Sequence, residues 1–277
     1  MVAITSVSDI AGRVSENALN ADKLTVASIC LPSGSVKRIR SLIPVGLPKW
    51  RNSDDHCVAA VTDLLLKEAW SVVVGSLDKR DTKWSKFWRD SREVHAMTAP
   101  FAGGPIAFLK AATLVKMLLL GQASKLAMAH SVKVGTLPRI TDRKGRLNIS
   151  EYVIFDDEIQ GEENRDVLVG AWQSMNNHQP KTNSLGIFHE VTKLTLTSEQ
   201  SEPLLLLADY AAGIVHAFNS DANTIAQSSV SREEVTRAHG QLYASPKFHQ
   251  FEVHFPDGYF EIFPDFEKYS RAKSKPD

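Results

Sequence analysis

The sequence has little cysteine and no excess of charge of either sign. Only Cys30 and Cys57 occur among 277 residues, which is too few for the disulfide framework of a small secreted domain. We therefore expect two free thiols and a cytoplasmic protein. The 32 basic and 32 acidic side chains cancel, so there is no overall positive field that would attract nucleic acid. Any polyanion must be held by a local basic patch or by a metal ion.

Long apolar runs and low-complexity tracts are also missing. Lys, Gln or Asp interrupts each apolar stretch well before the roughly 20 residues that a membrane span needs. The first residues lack the basic leader and continuous apolar run of a signal peptide, so we expect neither a secretory signal nor a membrane partner. With 43% apolar and 23% charged residues, the composition is typical of a folded globular protein.

Strand and helix patterns alternate along the chain. The alternation of β-branched residues predicts strands, and apolar residues at helical spacing predict helices. The predicted strands are residues 2–8, 24–31, 70–77, 151–155 and 187–197, with a hairpin over 251–263. The predicted helices are residues 55–69, 106–130, 162–175, 204–218 and 231–243, and residues 136–149 are interpreted as a loop or hairpin. This order predicts an α/β layer fold with helices on a mixed sheet.

Asp209 is the most unusual residue of the sequence because it lies in a helix that is apolar all round. Such a helix is buried, and an ionised carboxylate there costs several kcal/mol unless it is paired, hydrogen-bonded or bound to a cation. An Arg, a His or a loop N–H could stabilise the Asp209 carboxylate as well as a bound cation would. Gly213 shares the helix face of Asp209, and we expect it to let another backbone approach closely.

Two further acidic positions follow predicted strands. Asp156, Asp157 and Glu158 come directly after a buried strand, at the sheet edge where α/β proteins place ligands. Strand alternation lets only one of the two aspartates face a given partner, although acidic loop residues before a helix are also common as caps. Asp9 ends the first strand. Three acids at neighbouring strand ends and one helix would suit a divalent cation that prefers oxygen ligands.

One resemblance to a known family rests on three motifs. The late helix reads LLLLADYAAG over residues 204–213, the middle strand is followed by Asp-Asp-Glu at 156–158, and the first strand ends in Ser-Asp-Ile-Ala-Gly at 8–12. These motifs are similar in order to those of the domain-of-unknown-function family numbered thirty-eight hundred, whose members resemble ribonuclease H in fold. The first motif lacks the Glu and Ser of the family, and Leu206 stands where the family usually has Gln.

The resemblance implies a fold and a site. The fold is a ribonuclease-H-like mixed five-stranded sheet flanked by helices over residues 1–220, and residues 221–277 add a C-terminal helix and β-hairpin packed on the same domain. In the implied site Asp9 lies on the central strand, Asp156 or Asp157 on the adjacent strand, and Asp209 on the last helix.

The same resemblance implies a metal-dependent activity. The carboxylates would bind Mg²⁺ or Mn²⁺, and the bound ions would hydrolyse phosphodiester bonds of DNA or RNA. Either Glu158 or Asp157 would replace the missing fourth acid, or the site would hold one ion only. The alternative is a catalytically degraded relative that keeps the fold as a protein or nucleic-acid binding module, which the altered first motif favours.

Two basic segments are candidate contacts for a nucleic acid. Residues 79–92 read KRDTKWSKFWRDSR, a composition that can hold phosphates while an indole stacks on a base. A solvated charged face with its aromatics packed inward is the competing interpretation. The loop 139–146 is the second basic segment. The individual candidates are Lys79, Arg80, Lys83, Trp84 and Arg143.

Other chemistries have little support in the sequence. None of the nine histidines forms an H-E-x-x-H or a Cys-His zinc spacing. There is no G-x-S-x-G elbow for a serine nucleophile and no phosphate-binding loop. His189 and His216 could reach the acidic positions, and we interpret both as ordinary structural histidines.

Overall fold

The computed structural model describes residues 1–12, 23–78, 111–157, 166, 169, 187–220 and 229–252. Six strands form one mixed sheet in the order β5-β4-β1-β2-β3-β6. The strands are β1 (Val2–Ala11), β2 (Lys23–Pro32), β3 (Ser71–Asp78), β4 (Leu147–Asp156), β5 (Ile187–Thr197) and β6 (Phe248–Glu252). β2 is antiparallel to β1 and to β3, whereas β4 and β5 run parallel to β1, and β6 runs parallel to β3.

Helices cover both faces of the sheet. They are α1 (Val36–Leu42), α2 (Asp55–Glu68), α3 (Ala111–Lys133), α4 (Leu205–Asn219) and α5 (Arg232–Ala244). α4 packs on one face in a core shared with α2 and α5, and α3 packs on the opposite face. In the part of the chain that the structure describes, no helix combines the length and the hydropathy needed to cross a membrane.

Most predicted elements are confirmed within a few residues. The predicted helix at 231–243 corresponds to α5, which begins after Ser231, whose hydroxyl accepts the N–H of Glu234, a standard N-cap contact. Residues 136–149, interpreted as a loop or hairpin, contain an antiparallel bridge between Thr141 and Leu147, and β4 begins at Leu147 instead of at Glu151. Leu147 and Ile149 are buried against α3, so their alternation with polar residues belongs to the strand.

The C-terminal part differs from the prediction in its strands. Residues 248–252 form β6, which pairs with β3 and makes the sheet six-stranded instead of five-stranded. α5 packs against α2 and α4, so the described part of this extension shares the core of the preceding residues. The rest of the predicted hairpin, up to residue 263, and most of the predicted helix at 162–175 lie outside the described residues.

One irregularity interrupts the pairing of β4 with β5. Glu151 lies opposite Val191, but Tyr152 lies opposite Lys193, so Thr192 is an additional residue in β5. The hydroxyl of Thr192 donates a hydrogen bond to the carbonyl oxygen of Glu151 at 3.1 Å. Such a bulge reverses the face to which the following side chains point.

Candidate metal centre

The carboxyl ends of β1 and β4 bring together two of the predicted aspartates. In the register of these parallel strands Ser8 lies opposite Phe155, so Asp9 and Asp156 come next at the same edge of the sheet. Each aspartate lies two residues beyond an apolar residue of the core under α4, so strand alternation directs both side chains to that face. Both are buried.

A third carboxylate, Glu199, completes this group and is absent from the sequence-based prediction. Glu199 lies in the turn between β5 and α4, two residues after Thr197, which is opposite Asp156. Carboxylate oxygens of Asp9, Asp156 and Glu199 all lie within 4.8 Å of one another, and all three residues are buried. We call these three residues the carboxylate cluster.

Glu199 was not predicted as a site residue because its local sequence, Ser-Glu-Gln-Ser, is typical of a solvated turn. The available signal was topological, since a β5 strand parallel to β4 must end at the same sheet edge. Of the two residues proposed to replace the missing fourth acid, only Asp157 lies among the described residues. Asp157 is outside the cluster, with its N–H donating to the carbonyl oxygen of Thr197 at 2.9 Å, and Glu158 lies outside the described residues.

A lysine places a positive charge at the carboxylate cluster. Lys49 Nζ forms an ion pair with Glu199. Burial by itself would lower the pKa of Lys49, but the contact with Glu199 and the charges of Asp156 and Asp9 raise it above its ordinary value. The Lys49 side chain is 41% exposed, so the ammonium group lies at the border between the cluster and solvent.

The segment that carries Lys49, residues 47–53, is fixed to α4 by hydrogen bonds on both sides of the lysine. The N–H of Trp50 donates to Asp209 Oδ2 at 2.7 Å, and the Tyr210 hydroxyl donates to the carbonyl oxygen of Pro48 at 3.0 Å. Trp50 and Tyr210 also meet edge to face, with ring centroids 5.8 Å apart, a favourable aromatic geometry. The main chain on either side of Lys49 is therefore held in place.

Gly213 provides the space for the indole ring of Trp50. A Cβ atom at Gly213 would lie 2.3 Å from Trp50 Cγ, closer than van der Waals contact permits. The expectation that Gly213 admits another backbone is therefore wrong, because the group that approaches is a side chain. This contact explains why the apolar helix α4 has a glycine in its second half.

Comparison with known proteins adds no identification to this geometry. The sequence has no match among models of protein families or among curated proteins. The resemblance to the family numbered thirty-eight hundred therefore stays a prediction, and the function has to be argued from the carboxylate cluster itself.

Asp209 lies beside the cluster and is not one of its three members. Burial raises its pKa to about 6, an effect opposed by the hydrogen bond from the Trp50 N–H and reinforced by the charge of Glu199. The charges of Lys49 and Arg51 also favour its ionised form. The partner predicted for a buried carboxylate in this helix is thus a loop N–H, and Asp209 connects the Lys49 segment to the cluster.

The raised pKa of Asp209 makes a testable difference to stability. Because its folded-state pKa of about 6 exceeds the ordinary 3.8, Asp209 lowers stability as the pH rises from about 4 through about 6. In EDTA, Asp209→Asn should therefore raise the melting temperature near neutral pH by several degrees, at about 2–4 °C per kcal/mol. Near pH 4 it should leave the melting temperature unchanged. Asp63 is exposed, and Asp63→Asn is the control. An equal change in the melting temperature of Asp209→Asn at both pH values would contradict a raised pKa of Asp209.

Arg143, the one predicted nucleic-acid contact among the described residues, does not adjoin the carboxylate cluster. Arg143 is exposed in the turn before β4, whereas Asp156 is the last residue of that strand, which is ten residues long. A strand of this length spans about 30 Å, so the two residues cannot contact the same phosphodiester. The other candidates, Lys79, Arg80, Lys83 and Trp84, lie outside the described residues.

Another buried carboxylate, that of Glu151, lies on the opposite face of the sheet, under α3. Glu151 is fully buried and accepts hydrogen bonds from the hydroxyls of Ser6 and of Ser124, the latter at 3.0 Å. Its other oxygen, Oε2, lies 2.6 Å from His189 Nε2. Burial would raise the pKa of Glu151, but these partners, His189 first, lower it. We call Glu151, Ser6, Ser124 and His189 the Glu151 network.

Neither of the two histidines considered earlier belongs to the carboxylate cluster. His189 binds Glu151, and His216 Nδ1 lies 3.1 Å from the hydroxyl of Thr25, so both have structural partners. Lys125 is buried near Glu151, and burial lowers its pKa to about 7, although the Glu151 charge acts in the opposite direction. The network is a charged element of the core under α3.

Proposed function

We propose that this protein is a divalent-metal-dependent nuclease whose metal ligands are Asp9, Asp156 and Glu199. The observation that carries the proposal is the convergence of three buried carboxylates, with ligand oxygens within 4.8 Å of one another. Carboxylate oxygens are the donors that Mg²⁺ and Mn²⁺ prefer, and such ions commonly use few protein ligands and complete their coordination with water and phosphate. The donor set therefore fits the ion that the family resemblance implies.

The positions of the acidic side chains determine which of them are proposed as metal ligands. Asp9 and Asp156 are fixed by two paired strands, and Glu199 is fixed by the turn into α4, so the three oxygens are held in place before anything binds. A divalent ion at such a site supplies Lewis-acid activation of water and stabilises charge on the phosphodiester oxygens. Asp209 positions the Lys49 segment through the Trp50 N–H and is not proposed as a ligand.

The finer proposal is that the mixed sheet is ribonuclease-H-like. Its support is the placement of the acids: Asp9 lies on a central strand, Asp156 on the adjacent strand, and Asp209 on the helix that follows β5. This is the placement that the family resemblance implies. β6 is then an additional strand beside β3.

A binding module without catalytic activity is the second candidate function, and one observation favours it. The ion pair of Lys49 with Glu199 already supplies a positive charge to the cluster, as a protein that uses no metal would require. In that case the fold would bind protein or nucleic acid through other surfaces.

The proposal is tested by comparing two adjacent aspartates. Wild type, Asp156→Asn and Asp157→Asn are melted in EDTA and in Mn²⁺ or Mg²⁺. An ion at 100 times its dissociation constant stabilises the native state by about 2.7 kcal/mol, which corresponds to a melting-temperature rise of roughly 5–10 °C. The wild type and the Asp157→Asn control should show this rise, and Asp156→Asn should lose most of it.

Cleavage assays then separate a nuclease from a binding module. Labelled single- and double-stranded DNA and RNA are incubated with each protein and Mn²⁺ or Mg²⁺. We expect metal-dependent cleavage by the wild type and by Asp157→Asn, with a loss of at least about 100-fold in Asp156→Asn, since even indirect partners of metal ligands change activity by 10–100-fold. Metal binding without cleavage would favour the binding module. Melting curves that do not respond to either ion would refute the metal site.

A further inference from the structure

Lys49 has no role in the metal-dependent function proposed above, although it contacts the carboxylate cluster directly. We infer that Lys49 is an exchangeable counter-ion: its ammonium group neutralises Glu199 without metal, and is released to bind a substrate phosphate when a divalent ion takes its place. This inference rests on the proposed function.

The structure around Lys49 holds its backbone in place and leaves part of its side chain exposed to solvent. The neighbouring residues Pro48 and Trp50 are bound to α4, and the carbonyl oxygen of Lys49 accepts the N–H of Asn52 at 2.9 Å. The side chain itself is 41% exposed, whereas that of its partner Glu199 is 6% exposed. Its flexible four-carbon stem can therefore carry the ammonium group from Glu199 to solvent without displacing the loop.

Charge balance favours the exchange. The three carboxylates of the cluster can carry three negative charges, of which the single charge of Lys49 offsets one. A divalent ion offsets two, and its charge repels an ammonium group a few ångströms away. Binding of the ion and the ion pair of Lys49 with Glu199 are therefore antagonistic, and by linkage each weakens the other to the same extent.

A phosphate group is the anion that suits the released lysine. Lys49 and Arg51 lie on the same short segment, with Lys49 at Glu199 and the charge of Arg51 acting on Asp209. Arg51 is exposed. A phosphodiester held at the cluster would thus meet two cations at the rim, both of which bind phosphate oxygens well. Within the described residues this rim replaces the predicted contact at Arg143.

The first experiment measures Mn²⁺ affinity by calorimetry without nucleic acid. We expect Lys49→Met to bind Mn²⁺ about tenfold more tightly than the wild type, within the usual range of coupling between sites. Lys49→Arg, which keeps the charge, and Lys37→Met, which removes an exposed lysine of α1, should keep the wild-type affinity. Equal or weaker binding by Lys49→Met would overturn the exchange, and so would a failure of both proteins to bind Mn²⁺ at millimolar concentration.

The second experiment measures binding of a labelled single-stranded oligonucleotide by fluorescence anisotropy, with Ca²⁺ in place of Mn²⁺ to limit cleavage. We expect Lys49→Met to bind the oligonucleotide several-fold more weakly than the wild type. The slope of the logarithm of its affinity against the logarithm of salt concentration should be shallower by about one. In EDTA the two proteins should bind alike, because Lys49 is then held by Glu199. A loss of oligonucleotide affinity of the same size in EDTA would contradict the release of Lys49 from Glu199 by the ion.

The outcomes distinguish this inference from the proposed nuclease. If Lys49→Met binds Mn²⁺ more tightly but the wild type cleaves no nucleic acid, the exchange stands and the nuclease proposal fails. If the wild type cleaves nucleic acid and Lys49→Met has an unchanged Mn²⁺ affinity, the nuclease proposal stands and the exchange fails.

Discussion

Replacing His189 by Leu is expected to lower the free energy of unfolding by about 1–3 kcal/mol, because it leaves an oxygen of the buried Glu151 carboxylate without its hydrogen bond. Glu151 is fully buried, and His189 is the first of the partners that keep its pKa low. The variant would retain the hydrogen bonds from the hydroxyls of Ser6 and Ser124. Urea unfolding near neutral pH, followed by circular dichroism, measures the change.

Two further variants test whether the loss comes from the pair. Glu190→Gln alters the exposed neighbour of His189 on the same strand and should change stability by less than about 0.5 kcal/mol. The double variant Glu151→Leu/His189→Leu should recover part of the loss, since it also removes the carboxylate that His189→Leu leaves without a hydrogen bond. A double variant less stable than His189→Leu alone would contradict a dominant role for the missing hydrogen bond to Glu151.

Adding one methyl group at Gly213 is expected to destabilise the protein and to alter its response to Mn²⁺. In Gly213→Ala the new Cβ would lie 2.3 Å from Trp50 Cγ, so the indole ring must move. Overpacking of this kind costs about 1–3 kcal/mol. Displacement of Trp50 would also disturb its N–H bond to Asp209 and the position of Lys49. Thermal melts with EDTA and with Mn²⁺ measure both effects.

Gly240→Ala is the matched control for the Gly213 variant. Gly240 lies in α5, and a Cβ there would have no heavy atom within 4 Å. Replacing a helical glycine by alanine in open space should stabilise the protein by up to about 1 kcal/mol, with an unchanged response to Mn²⁺. The same sign of effect at the two glycines would show that contact with Trp50 is not the cause.

The sequence predicted elements well where one periodicity dominates over a whole segment. The prediction for β5 matches the structure at both ends, and α4 differs from its prediction by one residue at each end. α1 was missed because it has only seven residues, fewer than two full turns of apolar spacing. β6 was missed as a sheet strand because its partner β3 is distant in the sequence, and pairing across such a distance leaves no local pattern.

Two of the three residues of the carboxylate cluster were predicted from the sequence. Asp9 and Asp156 end predicted strands, so the assumption that those strands are neighbours was enough to bring them together. Glu199 and Lys49 come from a turn and an irregular segment, where a charged side chain is ordinarily solvated. The burial of Glu199 and its contact with Lys49 depend on the sheet order and on the packing of Trp50 against Gly213, which no local pattern reveals.

The additional residue Thr192 determines to which side of the sheet β5 delivers its final residues. Before it, Ile187 belongs to the core under α3, and an uninterrupted alternation would point every second residue as far as Thr197 to that side. After it, Thr197 lies opposite Asp156, on the α4 side. Because of this one inserted residue, β5 contributes to both faces of the sheet. It places His189 in the core under α3, and it directs the chain on the α4 side towards Glu199.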